Sequence, residues 1–363
     1  MQPIPPAVVA QPVTDRPAIE DPDAAAIRNY RQLAVRNPLL GTLACAGLGL
    51  VMYLLDFGPG VWAPILVATV LLGALLVWMA VWYAPRLRKA QVLMTKDAWR
   101  QAPAAVLGLD GKHFVVEAEG RRLRIPEIGG RVAHRVVGRT GRLWLLGPDP
   151  SGLVLARVDG LGTALWGREL TGPGNLEPVP AESFGSAAAD PVTIAWAEVL
   201  RRAVRYRVWP YMITFGLLAL ILLSFVAIQG VTTAVVIVCV LVLGVSFPIL
   251  LRRHLAARRR FQPWDDLPEL VRAGAWQPVG ISLAPWRPPM TGTADAHGVI
   301  RLADGAELQI RLPDAGPALI GNIQQVGGLW VAGEPVPGKL FAVGYPGFPV
   351  LGLATFSQGM RPV

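Results

Sequence analysis

Four stretches of the chain are apolar almost without a break, at about 38–55, 61–84, 208–228 and 231–251, and arginines gather beside them. A run of about 18 to 24 apolar residues is long enough to cross a hydrocarbon core of about 30 Å as a helix. A helix is also the only open element that satisfies its own backbone in lipid. The links at 56–60 and 229–230 are short, so the pattern predicts two antiparallel hairpins, 38–84 and 208–251. After each hairpin the texture changes to short alternating runs separated by Asp110-Gly111, Glu119-Gly120, Asp159-Gly160 and Asp304-Gly305. Such turn pairs between apolar runs mark strands. The runs 113–118, 121–125, 143–146 and 153–158 read as strands of a first β domain over 99–166. The runs 299–302, 307–312, 329–331 and 340–343 read as strands of a second over 276–357.

The two halves repeat one another. Gly141, Leu143, Trp144, Gly147, Gly152 and Ala156 answer Gly327, Leu329, Trp330, Gly333, Gly338 and Ala342 at one constant offset. Upstream, Leu123-Arg124-Ile125-Pro126 answers Ile310-Arg311-Leu312-Pro313 after a slip of one residue, and Asp21-Pro22 answers Asp190-Pro191. A period of about 170 to 187 residues fits a duplicated module, not a solenoid. The expected fold class is therefore an α+β membrane protein: four transmembrane helices as two hairpins, each followed by a small antiparallel β barrel or sandwich. The Pro-rich stretch 1–20 is expected to be a disordered tail, 21–37 and 190–207 juxtamembrane helices, 167–189 a linker, and 252–275 a basic flank with a short helix. Asp190 before Pro191 is the pattern of an N-cap followed by a first-turn proline.

Composition sharpens this picture. A net charge of +9 and 53% hydrophobic residues, with mean hydropathy +0.43, fit a membrane protein better than a soluble pair of domains. Arginine far outnumbers lysine, a bias of GC-rich bacterial coding, and Cys45 and Cys239 both lie in apolar runs. Arg201, Arg202, Arg205 and Arg207 precede the third run, and Arg252, Arg253, Arg258, Arg259 and Arg260 follow the fourth. The hairpin tips carry no positive residue. Positive residues stay inside, so the expectation is a multi-pass bacterial plasma-membrane protein with cytoplasmic N- and C-termini. The layout resembles bacterial membrane proteins with pleckstrin-homology-like domains, though 352–363 carries no pattern for the closing helix of that fold.

The chain offers little chemistry. It has no P-loop, dinucleotide fingerprint, nucleophile elbow or zinc-protease helix, and its histidines, His113, His134, His254 and His297, stand apart from any carboxylate cluster in the sequence. No catalytic residue, cofactor or metal is expected, and no nucleic acid, since stacking aromatics are not interleaved with the basic residues. Arg121, Arg122, Arg124, Arg131, Arg135 and Arg139 form the candidate set for contact with an anionic surface. Polar identities shared by the two copies reduce almost to Arg124 and Arg311. What recurs is turn, cap and core. The expected function is a non-enzymatic scaffold whose β domains dock a protein partner; recognition of anionic lipid and a small transporter or channel are the alternatives.

Overall fold

The structure is a computed structural model. It describes residues 8–21, 84–172, 176–179, 186–205, 233–286, 293–302 and 305–358, with scattered positions between 42 and 81. The chain divides into two units, one holding residues 1–30, 89–201 and 263–363, the other 31–88 and 202–262.

The first unit contains two closed six-stranded barrels. In the first, β1 (Arg100–Asp110), β2 (His113–Ala118) and β3 (Arg121–Pro126) form a meander. A helix follows, and then a second meander of β4 (Arg142–Leu146), β5 (Leu153–Arg157) and β6 (Leu165–Glu169). Closure comes from antiparallel pairing of β1 with β4 and of β3 with β6. The second barrel repeats the plan with β7 (Trp276–Leu283), β8 (Ala294–Arg301), β9 (Glu307–Ala315), β10 (Gly328–Ala332), β11 (Leu340–Tyr345) and β12 (Val350–Gln358). Here β7 pairs with β10 and β9 with β12. Closing the sheet leaves no free edge for another chain to extend.

The helices in chain order are α1 (Ala84–Lys96), α2 (Ala133–Thr140), α3 (Thr233–Phe261), α4 (Leu267–Arg272) and α5 (Pro317–Val326), with a further helical stretch at 191–205. α2 and α5 occupy the same place in the two copies, between the meanders. Each ends on a glycine in the left-handed region, Gly141 (φ 62) and Gly327 (φ 69), whose N–H donates back to Val137 and Ile323 at 2.8 Å. Only glycine adopts that conformation without strain, which explains the recurrence of this pair.

Strand alternation puts Leu143, Leu145, Val154 and Ala156 on one face of β4–β5 and Trp144, Leu146, Leu153 and Leu155 on the other. All of these are buried. The second set forms a cluster with Ala18, Ala90, Leu93 and Trp99, so α1 and the 3-10 turn Ala18–Glu20 cover this part of the barrel. Fully burying each such large side chain is worth about 1.5–3 kcal/mol. In the second copy α4, with Leu267 and Val271 fully buried, packs on β10, β11 and the 3-10 turn Ala187–Ala189. The covers are therefore repeated along with the barrels.

Four expectations require correction. Among the described residues no helix is long and apolar enough to cross a membrane. This contradicts the expected fold class with four transmembrane helices and the expected multi-pass plasma-membrane location. Most of 38–84 and all of 208–228 lie outside the described residues. Side chains of α3 are described at Gly244 and from Phe247 onward. The stretch 1–20 is not a tail throughout: from Val8 it is placed, with Val9 3% and Ala18 1% exposed. Its backbone is tied by Ala18 N–H to Asp97 O at 3.0 Å. Finally, the expected linker 167–189 contains the end of β6, and Glu177 exchanges backbone hydrogen bonds with Leu109 at 2.9 Å.

Tyr345 ends β11 fully buried, and its hydroxyl donates to Gly328 O at 2.5 Å. Burial raises its phenol pKa above the usual tyrosine range. A raised folded pKa gives stability that is complete below the unfolded value, about 10, and is lost as pH climbs past it. Tyr345→Phe is expected to cost about 1 kcal/mol near pH 7 and to flatten the loss above about pH 10. Denaturant midpoints across that range check this: equal alkaline losses in both proteins would exclude the phenol as the source.

Candidate functional site

Buried polar side chains collect where the two barrels meet. Asp190 is 5% exposed and Thr193 fully buried. Asp190 Oδ1 accepts from the Thr193 N–H at 2.8 Å and from its hydroxyl at 3.0 Å, so Asp190 caps the helical stretch 191–205, with Pro191 in its first turn. The other carboxylate oxygen of Asp190 pairs with Arg139 of α2. Thr193 Oγ1 accepts from Gly347 N–H at 2.7 Å, joining the same cap to the turn between β11 and β12. Gly347 has φ 86, and a Cβ there would run into the Arg139 guanidinium. This turn faces its counterpart in the first barrel: a Cβ on Gly160 would lie 3.0 Å from Val350 and 3.1 Å from Phe348.

Behind the first of those turns Asp159, 2% exposed, accepts from Arg142 Nε and Trp144 Nε1, both at 2.7 Å. Arg157, 6% exposed, pairs with Asp21 at 2.7 Å, fixing the N-terminal segment to β5. Losing one partner of a buried pair costs about 3–5 kcal/mol, because the other charge is stranded. Glu127 and His134 make a further buried pair, 2.8 Å apart at His134 Nδ1. Glu127 also accepts from Ala133 N–H at 2.6 Å and His134 N–H at 3.3 Å. Glu127 thus caps α2. This is a structural arrangement, with His134 held by the residue that caps its own helix.

The candidate arginines do not form one free basic patch. On β3, Arg121 pairs with Glu169 at 3.2 Å and Arg124 with Asp110 at 2.8 Å, while Arg122 sits exposed opposite Glu117. Arg131 is exposed in the turn before α2, at φ 57. Arg135 donates to Pro191 O at 3.4 Å, and Arg139 belongs to the seam just described. Arg311 pairs with Asp295 at 2.6 Å, so the one arginine shared by the copies holds a carboxylate in each. Such exposed pairs contribute about 0–1 kcal/mol each. Arg201 pairs with Glu198 at 2.6 Å, Arg202 and Arg205 are exposed on the same helical stretch, and Arg207 lies outside the described residues. Arg252, Arg253, Arg258, Arg259 and Arg260 are exposed on α3, the last with its guanidinium 5.9 Å from the Phe261 ring.

Of the remaining histidines, His113 opens β2 opposite Pro126, His297 faces Arg311 across β8–β9, and His254 lies on α3. Among the described residues, no group of three or more histidine, cysteine or carboxylate side chains could hold a metal ion. Near the β4–β5 turn, burial works to raise the Asp149 carboxyl pKa. The Ser151 hydroxyl, the Leu153 and Ser151 N–H groups and Lys89 outweigh it, and the pKa is held below the ordinary value. The chain matches no family model, no curated protein and no solved structure.

Sequence reading overlooked Glu127, Asp159, Thr193 and Arg157. Asp159 looked like an ordinary Asp-Gly turn residue; its location two residues past a fully buried strand was the available signal. Asp190→Ala is expected to lower stability by about 2–3 kcal/mol, since it removes the cap and an ion-pair partner of the half-buried Arg139. Gly347→Val is expected to loosen the same seam, raising amide hydrogen exchange in 191–205 and 345–350. Unchanged urea midpoints and exchange in both variants would show that the seam does not hold the barrels.

Proposed function

We propose that the protein is a non-catalytic scaffold whose paired barrels together present a docking platform to a protein partner. The observation that carries this reading is the use made of the buried polar groups in the seam. Arg139, Asp190, Thr193 and Gly347 are spent on fixing the second barrel and the 191–205 helix to the first. Asp21 with Arg157 and Asp159 with Arg142 fix the covers and turns in the same way. A platform built for docking needs a fixed geometry between its two halves, and these buried bonds supply one. Recognition of an anionic ligand draws less support, because Arg121, Arg124 and Arg139 already face carboxylates of the same chain.

Lys112 is exposed in the β1–β2 turn of the first barrel and Lys339 in the β10–β11 turn of the second. Lysine-directed cross-linking of the full chain in extract of its source cell is expected to join one protein species to both. Asp190→Ala should weaken that capture severalfold. A chain that reproducibly cross-links to nothing, or to one species regardless of the seam, would overturn the platform.

A further inference from the structure

The helix α5 buries Leu319, Ile320 and Ile323, as a helix packed on a barrel should, but it buries Asn322 beside them at 3% exposure. At the offset that places Trp144 on Trp330, the first copy has Val136 at this position, fully buried. Asparagine in place of a core valine is unfavourable unless its amide is fully used. Its Nδ2 donates to Ala318 O at 2.6 Å, and its Oδ1 accepts from the backbone N–H of Ala10 at 2.7 Å. One turn further along, Gln325, which replaces Arg139 of the first copy, donates to Gln11 O at 3.3 Å. Val9, at 3% exposure, and Pro12 are buried alongside, while Val8 and Gln11 stay exposed.

Two amide side chains on adjacent turns therefore bond backbone groups of consecutive residues in a segment that is neither helix nor strand, and two apolar side chains three positions apart are buried with it. Backbone groups at 10 and 11, unlike side chains, are common to any peptide with the same apolar spacing. We propose that α5 carries a peptide-binding clamp, held in cis by residues 8–13, and that its ligand in trans is an extended segment of the protein partner. That segment has a branched apolar residue, a free N–H immediately after it and a proline three positions on. This rests on the docking reading and names the chemistry the partner presents. The cis segment acts as a competing occupant, since one clamp holds one strand. Asp21 and Ala18 anchor the chain separately on the first barrel, so release of residues 8–13 need not detach the covers there.

The test uses the chain lacking residues 1–14, with a fluorescent peptide of residues 8–15 as the probe and anisotropy as the readout. The shortened chain is expected to bind the peptide at least tenfold more tightly than the full chain. Asn322→Val, which restores the residue of the first copy, should abolish binding without lowering the melting temperature. Should the shortened chain fold poorly, a full-length variant carrying Val9→Asp and Ala10→Pro frees the clamp without truncation and should bind the same peptide. Equal binding to full and freed chains, or binding indifferent to Asn322→Val, overturns the proposal. So does a concentration-dependent dimer of the full chain that Asn322→Val abolishes, because the occupant is then a second copy's segment. Cross-linking at Lys112 and Lys339 that survives Asn322→Val without peptide binding would sink the clamp and leave the platform standing.

Discussion

The first barrel depends on a strand pair that is apolar on both faces. Inward-pointing Leu143, Leu145, Val154 and Ala156 are satisfied by barrel closure, but Trp144, Leu146, Leu153 and Leu155 point outward and are also buried. Six strands cannot shelter both sets. Something outside the sheet must cover the second, and α1 with the 3-10 turn at Ala18 does so. Arg157 continues the same outward row, which is why the charge that meets it, Asp21, comes from the N-terminal segment and lies buried. The covering elements are consequently part of the core and no less necessary than the strands.

The second copy obeys the same constraint with different pieces. There α4 lies on β10 and β11 and packs against the 3-10 turn at Ala187, and Asp190 takes the place in sequence that Asp21 has in the first. The partners have diverged: Asp21 meets a strand arginine of its own barrel, whereas Asp190 meets Arg139 of the neighbouring barrel's helix. The turns after β5 and β11 face each other, Gly160 against Phe348 and Val350, in the way that equivalent patches meet in a two-fold dimer. Within one chain the two sides of such an interface are free to differ. Asn322 where the first copy has Val136 is one product of that freedom.

Much of the strand pattern was legible because its signals are local. Asp110-Gly111 and Glu119-Gly120 bracket β2 as turn chemistry requires, and Gly147 to Gly152 and Gly333 to Gly338 close matching hairpins. β1 and β7 escaped notice because Pro103 and Pro278 interrupt their apolar runs, though both pair with a neighbouring strand. α2, Ala-His-Arg-Val-Val-Gly-Arg-Thr, is too short to show helical periodicity, and its cap, Glu127, lies six residues upstream. The arginines suggested a surface, since composition counts charges without their partners; Glu169, Asp110 and Asp190 are those partners and come from distant positions. Apolar length suggested membrane spans, an expectation that no described helix supports.

The hydrogen bond between Ala10 and Asn322 spans 312 residues. Residues 8–13 are made before the strands of both barrels, yet their seat exists only once α5 itself has been made. During synthesis that segment must remain unoccupied while the first barrel closes, so its docking belongs to the final stage of folding. A segment made ahead of both barrels finds its place only after α5 has formed.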